Sequence, residues 1–450
     1  MKNLSRKLLP VGAFLILAAT GCLKHDRIIT PPFPSEGKSP HGVNRIDSYV
    51  LQTWYNLMMK LIAETPGHPP PVVARSFGYT GVTLYESLVG DMANHHSLAG
   101  QLNGLTSIPP RQYGNSYIAP ITANAALSKI IKKLFQNASA INVQTIDSLE
   151  SANEKIYSKH YNEKLLERSR NYGRAVAEAV FNWSLSDGGN HANLDIFPVD
   201  YIPPTGVDKW VPTPPQFQRA LLPYWGANRT MIPANGPGPI DPAAPPAFSF
   251  SPGSPFYDAA YEVYSTSQHL SPEQSTIAEY WADGSGTFTP PGHNVAIALQ
   301  MIRNRNLNLD EAAVLLAKVG IAENDAGIVC WRAKYKTNLM RPVTFIQAYI
   351  DPAWTSSVGT PPFPSYTSGH ATFSGAAAAV LSNQLGYQTS FIDSTKMRDG
   401  FAPRSFSSFN EAALEAAASR LYGGIHYRFD NDNGFSCGQL IAENVESLHW

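Results

Sequence analysis

The 450-residue chain has only three cysteines, too few for a disulfide-stapled scaffold. It also lacks an excess of charge: 34 Lys+Arg stand against 35 Asp+Glu, a formal net charge of −1. Without a basic surplus no bulk field gathers a polyanion, so a dedicated nucleic-acid binder is excluded. Charged residues make up 15% of the chain against 43% hydrophobic, a balance that excludes disorder of the whole chain. Beyond the N-terminus no run approaches the ~18 continuous apolar residues of a membrane span. Alternating strand-like runs bounded by hairpin turns are scarce as well. Proline is abundant instead. The 36 prolines are about 8% of the chain, against a usual ~5%, so long ordered loops are expected between elements.

The first residues read as an address. A basic head (Lys2, Arg6, Lys7) precedes an apolar run from Leu8 to Ala19 and then Thr20-Gly21-Cys22, the layout of a secretory signal. Ala19-Thr20-Gly21-Cys22 is similar to a bacterial lipobox, with Ala19 where Leu is usual. This implies a signal peptide over 1–21, lipidation of Cys22, a polar tether over 22–40, and an exported protein in the periplasm or cell envelope, anchored by lipid to the outer membrane. The alternative is an ordinary signal peptide with an incidental cysteine. Cys330 and Cys437 are left in the mature chain, either as buried free thiols or as a disulfide.

Apolar residues recur at helical spacing over 46–62, 72–89, 121–135, 164–185, 271–281, 293–304 and 309–335. The fold class is therefore mostly α, a pair of packed helical bundles with long Pro-rich loops. An N-terminal helical region (41–255) is expected to precede a C-terminal bundle (256–450). Fourteen prolines fall between Tyr201 and Pro255. Because Trp210, Tyr224, Trp225 and Phe248 lie among them, this stretch is expected to form an ordered cover over the helices.

Three blocks in the last third carry chemistry. In Lys334-Tyr335-Lys336-Thr337-Asn338-Leu339-Met340-Arg341-Pro342 the two cations stand seven apart, so one helix can present both on one face. Taken alone, they fit a solvated face as well as an anion site. In Pro364-Ser365-Tyr366-Thr367-Ser368-Gly369-His370 the prolines lead into an Ala-rich helix. Ser368, Gly369 and His370 then sit at a helix N-terminus, either as an anion cradle or as a cap beside a surface histidine. In Ser419-Arg420-Leu421-Tyr422-Gly423-Gly424-Ile425-His426 and on to Asp430, a helix from about 410 should stop at the glycine pair. His426 then opens a new turn with Asp430 four residues on. That carboxylate either orients the imidazole or serves as a local surface partner.

Lys-x6-Arg-Pro, Ser-Gly-His and Ser-Arg-x5-His-x3-Asp, in that order, resemble the three-part signature of the vanadium-dependent haloperoxidases and type 2 phosphatidic acid phosphatases. Bacterial vanadium iodoperoxidases are the nearest type. Thr367 departs from the Pro that many members carry before Ser-Gly-His. The resemblance implies a site that holds vanadate, with His426 as the single nitrogen ligand to vanadium. Lys334, Arg341 and Arg420 would neutralise the oxygens, Ser368 and Gly369 complete the cradle, and His370 serve as acid–base catalyst. Hydrogen peroxide, a halide and a small organic acceptor are the implied partners, with Lys334 polarising the oxygen that halide attacks.

Trp331 and Phe363 match positions that line the halide pocket of chloroperoxidase-like members. Tyr280-Trp281-Ala282-Asp283-Gly284-Ser285-Gly286-Thr287 resembles a further segment, in which the Asp braces the site's arginines; the alternative for Asp283 is a plain loop-turn acid. These features favour a haloperoxidase with a chloroperoxidase-like pocket. Bacterial iodoperoxidases share the Phe at 363, the exported architecture points to bacteria, and iodide is the easiest halide to oxidise. Iodide is therefore expected first and bromide second. The alternatives are an acid phosphatase acting through a phosphohistidine, or a non-catalytic surface-lipoprotein binding module. His191, His269 and His293 lie in polar or loop surroundings; each is expected at the surface, the alternative being an approach to the site.

Overall fold

The computed structural model describes residues 48–450. The signal-like segment, Cys22 and the tether lie outside the described residues. Thirteen α-helices carry the fold among them. They are α1 (Tyr49–Glu64), α2 (Pro70–Leu88), α3 (Ala119–Leu134), α4 (Ala140–Tyr157), α5 (Glu163–Ser184), α6 (Pro255–Gln268) and α7 (Pro272–Tyr280). There follow α8 (Thr289–Asn304), α9 (Leu309–Thr337), α10 (Pro342–Tyr349), α11 (Gly369–Leu385), α12 (Phe409–Tyr422) and α13 (Arg428–Glu446). Among the described residues, strand pairing is limited to a short antiparallel pair, β1 (Phe391–Asp393) with β2 (Arg404–Phe406), in register Ile392 to Ser405, and an isolated bridge between Lys209 and Leu339. The mostly helical expectation holds. None of these helices is long and apolar enough to cross a membrane.

Helix α9 is the spine. Asn308 and Glu311 start it with a reciprocal capping box, each side chain bonding the other's backbone N–H at 2.9 Å. Its middle is buried on every side, packing on α2, α11, α13 and α8. The crossing with α2 is close because glycines face it. A Cβ on Gly320 would lie 2.6 Å from the Phe77 carbonyl oxygen, and one on Gly81 would lie 2.9 Å from the Ala317 Cα. One continuous apolar core therefore runs from Leu51 and Phe77 through Ile321 to Phe373 and Ile441. The early helices α1–α5 and the later bundle share it.

The Pro-rich stretch is ordered by its bonds to this spine. Trp210 and Trp225 are buried and Phe248 packs into a second apolar cluster with Phe256 and Phe345, but Tyr224 is 53% exposed. Trp210 N–H donates to the Asn338 carbonyl (2.7 Å), and Leu221 N–H donates to that of Pro362 (2.9 Å). The Asp325 carboxylate of α9 accepts from the N–H groups of Met231 (2.7 Å) and Ile232 (3.0 Å) and from Asn235 (2.9 Å). A loop without repeating secondary structure thus has its backbone groups paired by the helices it covers.

Candidate functional site

Lys334 lies in the last turn of α9, which ends where Asn338 takes a left-handed conformation (φ 48°). Pro342 begins α10, and Arg341 is its N-cap residue. The two cations are therefore not on one helical face, contrary to the expectation from spacing. The break at Asn338 and the fixed φ of Pro342 fold the second cation back beside the first. Both side chains are fully buried. Lys334 Nζ donates to the carbonyls of Pro364 and Ser365 (3.0 Å each) and to that of Thr367. Arg341 donates to the carbonyls of Phe363 and Ile425 (2.8 Å each), and its Nη1 stands 3.1 Å from His426 Nε2. Arg341 Nη2 is buried and has no partner.

His426 precedes α13, and Asp430 stands in that helix's first turn. The Asp430 carboxylate reaches back, with Oδ2 accepting from His426 Nδ1 (2.8 Å) and from Ser365 Oγ (2.5 Å). That bond places the imidazole proton on Nδ1 and leaves Nε2 a lone pair directed at the arginine. Burial and the charges of Arg341, Lys334 and Arg420 lower the His426 pKa, so the ring is neutral.

The Ser-Gly-His segment is brought up by glycines of α13. A Cβ on Gly434 would lie 2.9 Å from the Ser368 carbonyl oxygen, and one on Gly438 would lie 2.3 Å from that of Thr372. This close approach lets Ser368 N–H donate to the Asp430 carbonyl (2.9 Å). Ser368 is the N-cap of α11, accepting from Ala371 N–H at 3.4 Å. Gly369 and His370 follow in the first turn, with the positive end of the helix dipole at the site. His370 bonds the Trp281 carbonyl, and its Nε2 is buried and unpartnered. Burial and the Arg420 charge hold His370 down to about 3, so it too is neutral. Arg420 donates to Ser419 Oγ and to the Ala278 carbonyl (2.8 Å each).

Asp283 supports Arg420 through its charge, as the resemblance implies, and its hydrogen bonds go elsewhere. Its carboxylate accepts from His293 Nδ1 (2.8 Å) and Lys396 Nζ (3.0 Å). His293 corrects an expectation, being fully buried in α8, where Asp393 (3.0 Å) takes its second nitrogen. Two carboxylates distant in sequence, Asp283 and Asp393, enclose it. His191 and His269 are at the surface as expected. Cys330 and Cys437 are buried free thiols, not a disulfide. Sequence reasoning missed Ser365, Ser419, Asp393 and Lys396. The two serines lie inside the blocks and carried a signal, as hydroxyls beside charged residues. The other two carried none.

Trp331 and Phe363 meet at ring centroids 5.0 Å apart. The cations of Lys334 and Arg341 lie over the Phe363 ring at 4.8 and 4.9 Å. Among the described residues no three His, Cys, Asp or Glu side chains cluster as metal ligands. What converges is one imidazole lone pair, three buried cations whose pKa values burial depresses, and two orphaned nitrogens on Arg341 and His370. A compact oxyanion with several acceptor oxygens fits that donor set, because it supplies the negative charge and the acceptors the site is short of.

Comparison with known proteins shows what the chain is similar to. A family model described as the vanadium chloroperoxidase second helical-bundle domain matches residues 314–449. The vanadium chloroperoxidase of Curvularia inaequalis is 28% identical over 222 residues, 36% of each chain. The vanadium-dependent bromoperoxidase of Ascophyllum nodosum is 36% identical over 103 residues, 20% of this chain and 18% of that one. The chain thus matches well under half the length of these curated relatives. A crystal structure described as the first bacterial vanadium-dependent iodoperoxidase superposes with TM-score 0.81 at 33% identity, covering 91% of this chain and 97% of that one. A holo-type bacterial vanadium-dependent chloroperoxidase shares the fold (TM-score 0.64, 15% identity, 85% of this chain and 92% of that one). With a match of that extent and all three blocks gathered around His426, the chain belongs to the vanadium-dependent haloperoxidase family.

Proposed function

We propose that the protein binds vanadate and uses hydrogen peroxide to oxidise a halide, iodide first and bromide second, to a hypohalous-acid equivalent that halogenates a small organic acceptor. The carrying observation is the neutral His426, its Nε2 lone pair set by Asp430 and surrounded by Lys334, Arg341 and Arg420. In this reading His426 Nε2 is the one protein ligand to vanadium. Arg341 Nη2, Arg420, Lys334, the Ser368 hydroxyl and the Gly369 N–H hold the oxygens. Bound vanadate supplies a Lewis-acidic centre that activates peroxide with no change in its own oxidation state.

The chain's own groups do the rest. His370 is neutral with a free Nε2, so it can take a proton from incoming peroxide and return it to the departing oxygen. Lys334, whose protons all lie on main-chain carbonyls, trades one of them for a substrate oxygen and stabilises the charge developing there. Trp331 and Phe363 wall the approach with polarisable rings and exclude water. Iodide, the easiest halide to oxidise, is favoured by the likeness to the iodoperoxidase structure. The lipobox-like Ala19–Cys22 supports export and lipid anchorage at the outer membrane.

The test is to incubate residues 23–450 with orthovanadate and follow peroxide-dependent oxidation of iodide, bromide and chloride separately, with phosphate as competitor. Vanadate-dependent oxidation that disappears in His426→Ala is the expected result. Oxidation of no halide, together with vanadate-inhibited phosphomonoester hydrolysis, would overturn it in favour of a phosphatase.

A further inference from the structure

We propose that His293 is a positioning residue for this site: a charged imidazole clamped between Asp283 and Asp393, which locks the turn after α7 so that the Trp281 carbonyl fixes the proton of His370 on Nδ1. Nothing in the signature blocks includes His293, yet it is the centre of a buried charge cluster directly behind them. Its Nδ1 and Nε2 each meet a carboxylate oxygen, Asp283 at 2.8 Å and Asp393 at 3.0 Å, and both acids are fully buried. With a carboxylate on each side, both ring nitrogens must be donors, which only the cation satisfies. Lys396 binds the other oxygen of Asp283 at 3.0 Å and also pairs with Asp399 at 2.9 Å.

The clamp reaches the site through one turn. The His293 ring stacks on Trp281, centroids 4.5 Å apart at 24°, with Tyr280 and Phe288 closing the other sides. Trp281 Nε1 is held by Glu415 at 2.9 Å, so that indole is fixed at both ends. Asp283 itself takes a left-handed backbone (φ 41°), as does Thr289 (φ 65°), conformations that non-glycine residues keep only when their surroundings over-determine them. The ring that over-determines this turn is His293. The Trp281 carbonyl acts on His370 as its backbone partner, and because Nε2 is bare the proposal assigns the ring proton to Nδ1. The ionisable groups facing His293 are Asp283, Asp393, Lys396 and Tyr280, with His370 beyond Trp281. Against the desolvation of a buried cation, the two carboxylates raise its pKa to about 9.

The catalytic consequence rests on the haloperoxidase reading, whereas the effect on the tautomer does not. The experiment is therefore nitrogen NMR of the full mature chain labelled at histidine, with and without orthovanadate, on wild type, His293→Gln and Asp393→Asn. The wild type should show one histidine doubly protonated through neutral pH and His370 as a single Nδ1–H tautomer. In His293→Gln, and more weakly in Asp393→Asn, His370 should exchange between tautomers. Orthovanadate affinity by titration should change little, because His426 and its cations are untouched. In the halide assay the KM for peroxide should rise about tenfold, the scale on which lost outer-shell partners act. A single unchanged His370 tautomer in either folded variant, or a neutral His293 in the wild type, overturns the proposal. Failure of the wild type to oxidise any halide, with the tautomer change present, overturns the functional reading alone.

Discussion

At the residue scale the site is a problem in charge. Lys334, Arg341 and Arg420 are buried together with two neutral imidazoles, and the nearest carboxylates are Asp430 and Asp283. Asp430 is committed to His426 Nδ1 and Ser365. Asp430→Asn should therefore loosen the His426 tautomer and lower orthovanadate affinity by about 10–100-fold, read by titration. His293 gives a pH signature whose sign is fixed. Its pKa is raised from 6.5 to about 9 on folding. Below pH 6.5 both states are protonated and the clamp contributes fully. Between 6.5 and about 9 only the native state keeps the proton, so stability falls as pH rises. The difference in Tm between wild type and His293→Gln should shrink across that window, with up to roughly 3 kcal/mol at stake. The signature residues were legible in the sequence because oxyanion chemistry demands their types in order. Asp393 was not, since a lone aspartate 100 residues from its partner carries no local signal.

At the element scale glycines decide how near the pieces come. The Ser368 cradle meets Asp430 because Gly434 and Gly438 let α11 lie almost on the backbone of α13. Gly438→Ala should force the two helices apart and destabilise the fold by about 1–3 kcal/mol, with weakened orthovanadate binding. Gly359→Ala, where nothing lies within 4 Å of the added methyl, should leave both unchanged; thermal unfolding and vanadate titration of the pair check this. Helices with an apolar stripe were legible: α2, α3, α5 and α9 fall within about two residues of their expected ends. Helix α4 was not, because only Asn142, Ile146 and Asn153 of its eighteen residues are buried. The break between Lys334 and Arg341 was also hidden, since a left-handed Asn338 reads locally like any helix residue.

At the scale of the whole molecule one core joins the early helices to the later bundle, and the Pro-rich cover is pinned to it at a few points. The strongest is Asp325, which accepts two backbone N–H groups and two side-chain amides. Asp325→Ala should leave the Met231 and Ile232 N–H groups unpaired, costing roughly 2–3 kcal/mol. Limited proteolysis should then cut first between 201 and 255. An ordered cover was foreseeable from its tryptophans, but its anchor was not, because a carboxylate in the middle of an apolar helix face is visible as an anchor only once the loop lies on it.

The two described cysteines have a further consequence. A catalyst that releases an electrophilic oxidant works in the presence of its own poison, and sulfur is the softest target a protein offers. Cys330 is packed against Thr367 and Cys437 against the Ile240 carbonyl. Burial pushes the Cys437 thiol up to about 12, which denies it the thiolate form that oxidants attack. The same dense packing that builds the site also shields its thiols, so turnover-linked inactivation should begin elsewhere, at exposed Met397 and Tyr113.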